Sequence, residues 1–352
     1  MTTKNELPFG LLEATRLTRA GRLVEATAAI QRLLRQQSMS EPAVNDPAPG
    51  RVIDAEFSRV EEGKFISGSY RSHAGTRPYK LYIPTGYAGK PLPMIVMLHG
   101  CTQTPDDFAA GTRMNALAEE RECFALYPAQ TRAANRSRCW NWFKRADQRR
   151  DQGEPAIIAG MTREVMNRYG LDARKVYVAG LSAGGAMAAV MGAAYPDLYA
   201  AIGIHSGLAA GSAHDVPSAF AAMRGTPSPS PGSAVSGQAS GAVPVIVFHG
   251  DRDTTVHPRN GEQVILESVD RNAASNTLSV EHGRVPGGHA YTRTVHSDPT
   301  GRVVLEHWLV HGAGHAWSGG SPRGSYTDPK GPDAARAMIR FFYQNELSGS
   351  VP

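Results

Sequence analysis

From residue 51 onward, short runs of strand-forming residues alternate with helix-like segments, and this alternation limits the possible folds more than any other feature. Several runs, such as MIVMLHG at 94–100 and VPVIVFHG at 243–250, are apolar throughout instead of alternating with polar residues. Continuous apolar runs are typical of strands buried on both faces of a parallel sheet. The sequence therefore predicts an α/β fold with a doubly wound, mostly parallel sheet and helices on both faces. Ligand sites in such folds lie beyond the carboxyl ends of the strands.

The pattern also predicts where the individual elements lie. The strand-like runs are at 64–70, 77–84, 94–100, 124–128, 175–180, 200–206, 243–250 and 303–312. The helix-like segments are at 106–121, 154–170 and 183–196. The chain has 352 residues, of which 41% are hydrophobic, so it is long enough to bury a large core.

The first fifty residues differ from the rest. Leucines and isoleucines recur at helical spacing over residues 7–37, and a polar, proline-containing stretch follows at 38–50. We interpret 1–50 as an N-terminal helical extension and linker, which would dock on its own domain or form a homo-oligomer. Residues 51–348 are then expected to form the α/β domain, and 225–243, rich in Gly, Ser, Pro and Ala, is expected to be a flexible insertion.

Ser182 lies where a predicted strand meets a predicted helix, in the pattern Gly-Leu-Ser-Ala-Gly. On its own this pattern is weak, but a strand directly before it and a helix directly after it predict a tight turn that presents the serine hydroxyl above the sheet edge. The small flanking residues let strand and helix backbones approach closely. We therefore predict that Ser182 is a nucleophile, with an ordinary serine in a glycine-rich bend as the alternative.

A serine nucleophile needs a base, and the base needs an acid that orients it. On a sheet of this kind the partners follow the serine in the order acid, then histidine. Asp251 and Asp253 follow the run at 243–250, and His315 lies in a glycine-flanked loop after the run at 303–312. Both positions are at predicted carboxyl ends of strands, and either aspartate fits.

The reaction would also need two backbone donors for the oxyanion. We predict that these are the N–H groups of Cys101, in the loop after the run at 94–100, and of Ala183, directly after the serine. His99 in the same loop is expected to brace it. No cofactor is needed for this chemistry.

Five motifs in order resemble the polyhydroxybutyrate depolymerase esterases, relatives of feruloyl and acetylxylan esterases among the α/β-hydrolases. The resemblance extends over about residues 65–345 and implies Ser182 as nucleophile, Asp253 as acid and His315 as base, with Cys101 and Ala183 as oxyanion donors. Asp253 is favoured over Asp251 by the pattern G-x-x-D-x-x-V. The motifs are LHGCTQTPDDFAAGTRMNALAE, RCWNWF, VYVAGLSAGGAMA, FHGDRDTTV and GAGHAWSGG.

The resemblance implies a serine esterase that acts on hydroxyalkanoate polymers or oligomers. The alternatives are a feruloyl, acetylxylan or general carboxylesterase acting on small aryl or acyl esters, then a serine peptidase, and then a binding protein without catalysis. Trp317, Trp140 and Trp142 either form an apolar wall for the acyl or aryl group or pack in the core.

Cysteine and histidine spacing leaves two further questions. Cys101 and Cys139 could form a disulfide if the fold brings them together, and Cys123 lies in an apolar run and is expected in the core. His307 and His311 precede His315 at four-residue intervals. In a strand this spacing is too long for one metal ion, so we expect no metal site.

The net charge of the chain is +5, and one basic cluster lies at 132–150. We interpret it as a solvated loop, with a surface for an anionic partner as the alternative. No nucleic-acid motif accompanies it, and no run approaches the roughly 18 apolar residues that span a membrane. The N-terminal residues do not resemble a signal peptide. We therefore expect a cytoplasmic protein without nucleic-acid or membrane partners, or alternatively one that is exported by a non-standard route.

Overall fold

The computed structural model describes residues 63–226, 243–271 and 277–347. The expected N-terminal helical extension at 1–50 lies outside the described residues. The expected insertion at 225–243 also lies outside them except for its two ends.

A single large sheet organises the described residues. Its strands are β1 Lys64–Ser72, β2 Gly75–Ile83, β3 Met94–Leu98, β4 Phe124–Pro128, β5 Val176–Leu181, β6 Ala201–His205, β7 Val245–Gly250, β8 Thr277–Arg284, β9 Ala290–Ser297 and β10 Val303–Val310. These ten strands lie in the order β1-β2-β4-β3-β5-β6-β7-β10-β9-β8. The six central strands, β4, β3, β5, β6, β7 and β10, are parallel, and antiparallel pairs extend the sheet at each edge. A small parallel pair, β11 Trp317–Ser318 and β12 Thr327–Asp328, lies apart from it.

Helices cover both faces of this sheet, as the sequence predicts. The helices are α1 Pro105–Thr112, α2 Met114–Glu120, α3 Gly153–Tyr169, α4 Ala183–Ala194, α5 Val216–Met223, α6 Arg259–Arg271 and α7 Ala334–Tyr343, with a 3-10 turn at Arg145–Gln148. One face carries α3, α4, α5 and α6, and the other carries α1, α2 and α7.

The continuous apolar runs are explained by this two-sided burial. In β3, Met94, Val96 and Leu98 pack into one layer, while Ile95 and Met97 pack into the other. Because successive strand residues point to opposite faces, a strand between two helical layers needs apolar residues at every position.

Three features differ from the sequence prediction. The predicted helix at 106–121 is two helices, because Arg113 adopts a left-handed backbone conformation with φ 57°. Strands β8 and β9 were not predicted, since most of their side chains are exposed or half-buried and lack a continuous apolar run. Helices α5, α6 and α7 were not predicted either. No helix in the described part of the chain is long and apolar enough to cross a membrane.

Candidate active site

Ser182 occupies a strained turn between β5 and α4. Its backbone has φ 57° and ψ −121°, and α4 begins at the next residue. A non-glycine residue in this region costs on the order of 1–3 kcal/mol and is held there only by its surroundings. The Ser182 N–H donates to the carbonyl oxygen of His205 at 2.9 Å, which anchors the turn to β6. The serine is half-buried and lies at the carboxyl edge of the sheet.

Close backbone contacts explain the glycines on either side of the serine. A Cβ atom at Gly184 would overlap the carbonyl oxygen of Leu98 and crowd that of His99. A Cβ atom at Gly180 would overlap the backbone of Gly184. The turn therefore lies directly against the end of β3 and the loop that follows it, which is possible only without side chains.

Asp253 and His315 are brought together from loops that follow β7 and β10. The Nδ1 atom of His315 donates to Oδ2 of Asp253 at 2.7 Å. The Asp253 side chain is fully buried, whereas that of His315 is 12% exposed. The other Asp253 oxygen accepts from the N–H groups of Thr255 at 2.9 Å and Val256 at 2.8 Å. A carboxylate only accepts, so this contact places the His315 proton on Nδ1 and leaves Nε2 to accept a proton.

His249 is a second histidine beside Asp253, and the local sequence pattern does not predict it. Its Nε2 atom lies 2.8 Å from the carbonyl oxygen of Val256 and 3.5 Å from Oδ2 of Asp253. Both neighbours are acceptors, so Nε2 carries the proton. Burial raises the pKa of Asp253, but hydrogen bonds from His249 and His315 outweigh it and hold this pKa well below its ordinary value. The carboxylate therefore stays ionised and keeps orienting His315.

The other aspartate considered, Asp251, has different partners. Its carboxylate lies 3.0 Å from Nδ1 of His311 and 2.7 Å from the N–H of Gly312. The three evenly spaced histidines have separate surroundings, because His307 lies within β10, His311 contacts Asp251 and His315 contacts Asp253. Within the described residues, no group of three or more His, Cys, Asp or Glu side chains is arranged to hold a metal ion.

His205 at the end of β6 fills the space between the serine and aspartate strands. Its ring stacks on Phe248 and Trp317 at 5.8 and 5.0 Å between centroids, and Nε2 accepts from the N–H of Ser318 at 2.9 Å. Burial, aided by the nearby histidines, lowers its pKa to about 3, so the ring is neutral. The position of His205 between the serine and aspartate strands follows only from the tertiary packing.

Ser182 and His315 follow β5 and β10, which end at the same edge of the sheet. Among the described residues, no hydrogen bond joins the Ser182 hydroxyl to the His315 ring. Contacts of this kind are often long in the absence of substrate and tighten when it binds.

Two backbone donors beside the serine have no protein acceptor. In the described residues, the N–H groups of Cys101 and Ala183 donate to nothing, while those on either side of Cys101 are occupied. Gly100 N donates to Oε1 of Gln103 at 2.9 Å, and Thr102 N donates to the Ser137 carbonyl at 2.7 Å. Free donors at the start of a helix and in the adjacent loop suit a developing negative charge.

The loop that carries Cys101 is fixed by a disulfide and by His99. Cys101 is bonded to Cys139, which answers the question the sequence left open, and Cys123 is free and buried. His99 accepts from the Gln130 N–H at Nε2 and contacts the Gly100 carbonyl through Nδ1, at 3.1 and 2.8 Å. His99 therefore braces the loop, as expected.

The three tryptophans considered as substrate contacts are all buried. Trp317 is 1% exposed and packs edge-on against Phe108, Trp140 is 0% exposed and donates from Nε1 to the His99 carbonyl, and Trp142 is 5% exposed. This burial supports the packing interpretation, and a role as an apolar wall stays a prediction.

The sequence matches the family described as esterase PHB depolymerase over residues 77–279, more than half of the chain. It is 31% identical to poly(3-hydroxyalkanoate) depolymerase C of Paucimonas lemoignei over 69% of this chain, which spans 60% of that protein's length. It is 30% identical to feruloyl esterase B of Neurospora crassa over 74% of this chain and 86% of that protein. Among solved structures, the acetyl xylan esterase from Aspergillus awamori is similar with a TM-score of 0.62 at 22% identity, over 76% of this chain and 94% of that one. The predicted α/β-hydrolase fold is thereby confirmed.

Proposed function

This chain belongs to the esterase PHB depolymerase family, and from that membership and the geometry at the sheet edge we propose that it is a serine esterase that works through an acyl-enzyme. The observation that carries the proposal is the strained Ser182 turn at the same sheet edge as the hydrogen-bonded pair of His315 and Asp253. A strained serine at the same sheet edge as an imidazole oriented by a buried carboxylate has no simpler structural explanation.

In the proposed reaction, Ser182 Oγ attacks the ester carbonyl while Nε2 of His315 takes its proton. Asp253 holds the ring in the required tautomer and stabilises the imidazolium that forms. The N–H groups of Cys101 and Ala183 donate to the oxyanion. Collapse of this intermediate expels the alcohol, which receives the proton from His315. Water, deprotonated by the same nitrogen, then hydrolyses the acyl-serine and restores the enzyme.

The decisive experiment is Ser182→Ala assayed with p-nitrophenyl acetate and longer acyl esters. We expect turnover to fall below about a thousandth of wild type with the fold intact, and we expect a serine-directed phosphonate to label only the wild type. Retention of more than that turnover in a folded variant would remove Ser182 from the mechanism. Peptide anilides assayed in parallel test the peptidase alternative.

For the substrate, we propose hydroxyalkanoate esters, because one similar relative is a poly(3-hydroxyalkanoate) depolymerase. Feruloyl and acetylxylan-type esters are the alternative, because a feruloyl esterase is similar over most of its length. A panel of hydroxybutyrate oligomers, feruloyl esters and acetylated xylo-oligosaccharides distinguishes them by kcat/KM. The homo-oligomer expected through the N-terminal helices stays a prediction that light scattering can test.

The Cys101–Cys139 disulfide supports a location outside the reducing cytoplasm, which was the alternative in the sequence analysis. Cytosolic thiols are mostly kept reduced, so a structural disulfide of this kind is typical of an oxidising compartment. Alkylation of intact cells with a mass-labelled maleimide, followed by fractionation, tests this. Labelling of Cys101 and Cys139 in the cytoplasmic fraction would restore the cytoplasmic expectation.

A further inference from the structure

Arg138 lies between two attachments to the loop that carries the oxyanion donor Cys101. The carbonyl of its neighbour Ser137 accepts from Thr102 N at 2.7 Å, and its other neighbour, Cys139, is disulfide-bonded to Cys101. The Cα atoms of the two cysteines are 4.2 Å apart. Since consecutive Cα atoms are about 3.8 Å apart, the Arg138 backbone lies within about 8 Å of the Cys101 backbone.

Arg138 has no ion-pair partner among the described residues. Its guanidinium makes one hydrogen bond among the described residues, from one terminal nitrogen to the Gln103 carbonyl at 3.4 Å, and it forms no ion pair there. No Asp or Glu occurs in the sequence from 124 to 146. Asp107, on the neighbouring helix, accepts hydrogen bonds from Gln103 and Ser325 and forms no ion pair with Arg138.

Arg138 is half-buried, and its weakly hydrated guanidinium can bind an anion at a smaller cost in lost hydration than a lysine ammonium would. Arg138 is in addition held in a left-handed conformation with φ 53°, a strain that tends to persist where function requires it. The basic cluster noted in the sequence therefore includes one residue whose two chain neighbours are attached to the loop that carries Cys101.

We propose that Arg138 binds the free carboxylate of a substrate whose leaving alcohol is a hydroxy acid, that is, the carboxyl-terminal ester bond of a short oligoester. This inference rests on the proposed esterase function. A guanidinium matches a carboxylate by two parallel hydrogen bonds, and Arg138 has enough unused N–H groups to form them. Inside a polymer the corresponding group is another ester, which carries no charge.

The chemistry of hydroxybutyrate esters fits the position of Arg138. In a 3-hydroxybutyrate dimer, four covalent bonds separate the ester carbonyl carbon from the terminal carboxylate carbon, roughly 5 Å when extended. The side chain of Arg138 extends from a backbone within about 8 Å of the Cys101 donor, so a carboxylate one unit from the reacting carbonyl is within its reach. The inference thus favours oligomers with a free carboxyl end over internal bonds of a polymer.

The test compares the linear 3-hydroxybutyrate dimer as its free acid and as its methyl ester, which lacks the charge and carries a second ester bond, so cleavage of the internal ester is followed by its own product. Wild type should hydrolyse the internal ester of the acid with about 10- to 100-fold higher kcat/KM, the range expected for a charge-assisted, bidentate contact. Equal or lower kcat/KM for the acid overturns the inference. Hydrolysis of p-nitrophenyl acetate but of neither dimer also overturns it and leaves the esterase proposal standing, whereas no hydrolysis of any ester counts against both.

Variants of Arg138 and Arg136 test which residue causes the preference for the acid. Arg138→Gln should lose at least ten times more kcat/KM on the acid than on the methyl ester, mainly through KM, and Arg138→Lys should recover part of the preference. Arg136→Gln, which removes the same charge from an exposed residue of the same loop, should keep the wild-type preference. An equal loss on both substrates in Arg138→Gln would mean that Arg138 only supports the oxyanion loop. If Arg136→Gln lost the preference for the acid as much as Arg138→Gln does, the preference would come from the overall positive charge of the loop. Either result refutes a specific contact between Arg138 and the carboxylate.

Discussion

Nδ1 of His315 and Oδ2 of Asp253 are 2.7 Å apart, and the carboxylate of this pair is fully buried while the ring reaches the surface. The two residues are 62 positions apart in the sequence. One end of the pair is therefore shielded from water and the other is open to a substrate. This arrangement gives the His315 ring one orientation and one tautomer.

Asp253→Asn should lower kcat by about three to four orders of magnitude. The amide would keep the hydrogen bonds from Thr255 and Val256 through its oxygen but could present an NH2 group to His315. The ring would then be held in the wrong tautomer. Steady-state kinetics with a p-nitrophenyl ester measure this, and KM should change little.

Asp251→Asn is the matched control, because the same atom is replaced two residues away. Its carboxylate contacts His311 and Gly312 and makes no contact with His315. We expect less than about a tenfold loss of kcat, since the effect on His315 is indirect. The reverse ranking of the two variants would move the orienting role to Asp251.

Gly184→Ala should destabilise the fold by about 1–3 kcal/mol or more and reduce the soluble yield. The added methyl group would collide with the backbone carbonyls of Leu98 and His99, which cannot move away as a flexible side chain could. Gly314→Ala, beside His315, has open space around its Cβ position and should change the free energy of unfolding by less than about 0.5 kcal/mol. Denaturant unfolding measures both, and similar values for the two would contradict the steric argument.

Breaking the disulfide should cost stability more than catalysis. It closes a loop between positions 38 residues apart, for which the chain-entropy model gives up to roughly 4 kcal/mol. Cys139→Ala should thus lower the melting temperature, and reductant should lower that of wild type but not of the variant. Cys123→Ala leaves the disulfide in place and should keep the response to reductant.

Cys101→Ala separates the side chain from the backbone donor. Because the N–H group is the proposed donor, turnover should stay within about tenfold of wild type once the variant is folded. A loss of more than about a hundredfold in a folded variant would show that the cysteine side chain is needed. Loss of activity in Cys101→Ala together with retention in Ser182→Ala would instead indicate a catalytic thiol.

Acid should destabilise the protein below about pH 6.5 through its buried histidines. Burial lowers the pKa of His99 and of His307 to about 4 and that of His205 to about 3. The unfolded chain takes up these protons near pH 6.5, before the folded state does, so the free energy of unfolding is highest above that pH and falls as the pH drops toward 4. Each histidine contributes up to about 1.4 kcal/mol per pH unit.

His307→Leu should reduce this pH dependence by about one proton. Its Nε2 atom is buried and has no partner among the described residues, so the substitution removes no hydrogen bond at that atom. Urea unfolding at several pH values measures the slope, and exposed His214→Gln should leave it as in wild type. An unchanged slope in His307→Leu would show that this histidine is not protonated on unfolding.

Much of the fold follows from local sequence patterns. Each continuous apolar run between 94 and 250 became a strand buried on both faces, because only strands between two helical layers need apolar residues at every position. The position of the candidate site follows as well. Parallel strands end at one edge, so polar residues just after β5, β7 and β10 had to lie there, in the order serine, aspartate, histidine.

The tertiary structure decided which side chains meet. Asp251 and Asp253 both follow β7, and only the packing of the loops shows that His315 contacts the second and His311 the first. The contact between His249 and Asp253 likewise follows only from the packing. The local pattern of a segment predicts which face of it is buried, whereas contacts across 60 residues depend on side-chain directions in loops that have no repeating pattern.

Three further features of the structure also depend on how the loops at the edge of the sheet lie against one another. They are the bond between Cys101 and Cys139, the burial of Trp317 and the lack of an ion-pair partner for Arg138 among the described residues. A sequence specifies strands and helices through repeating apolar residues. Loop contacts depend on one particular arrangement of non-repeating residues, and that arrangement exists only once the sheet and its helices have formed.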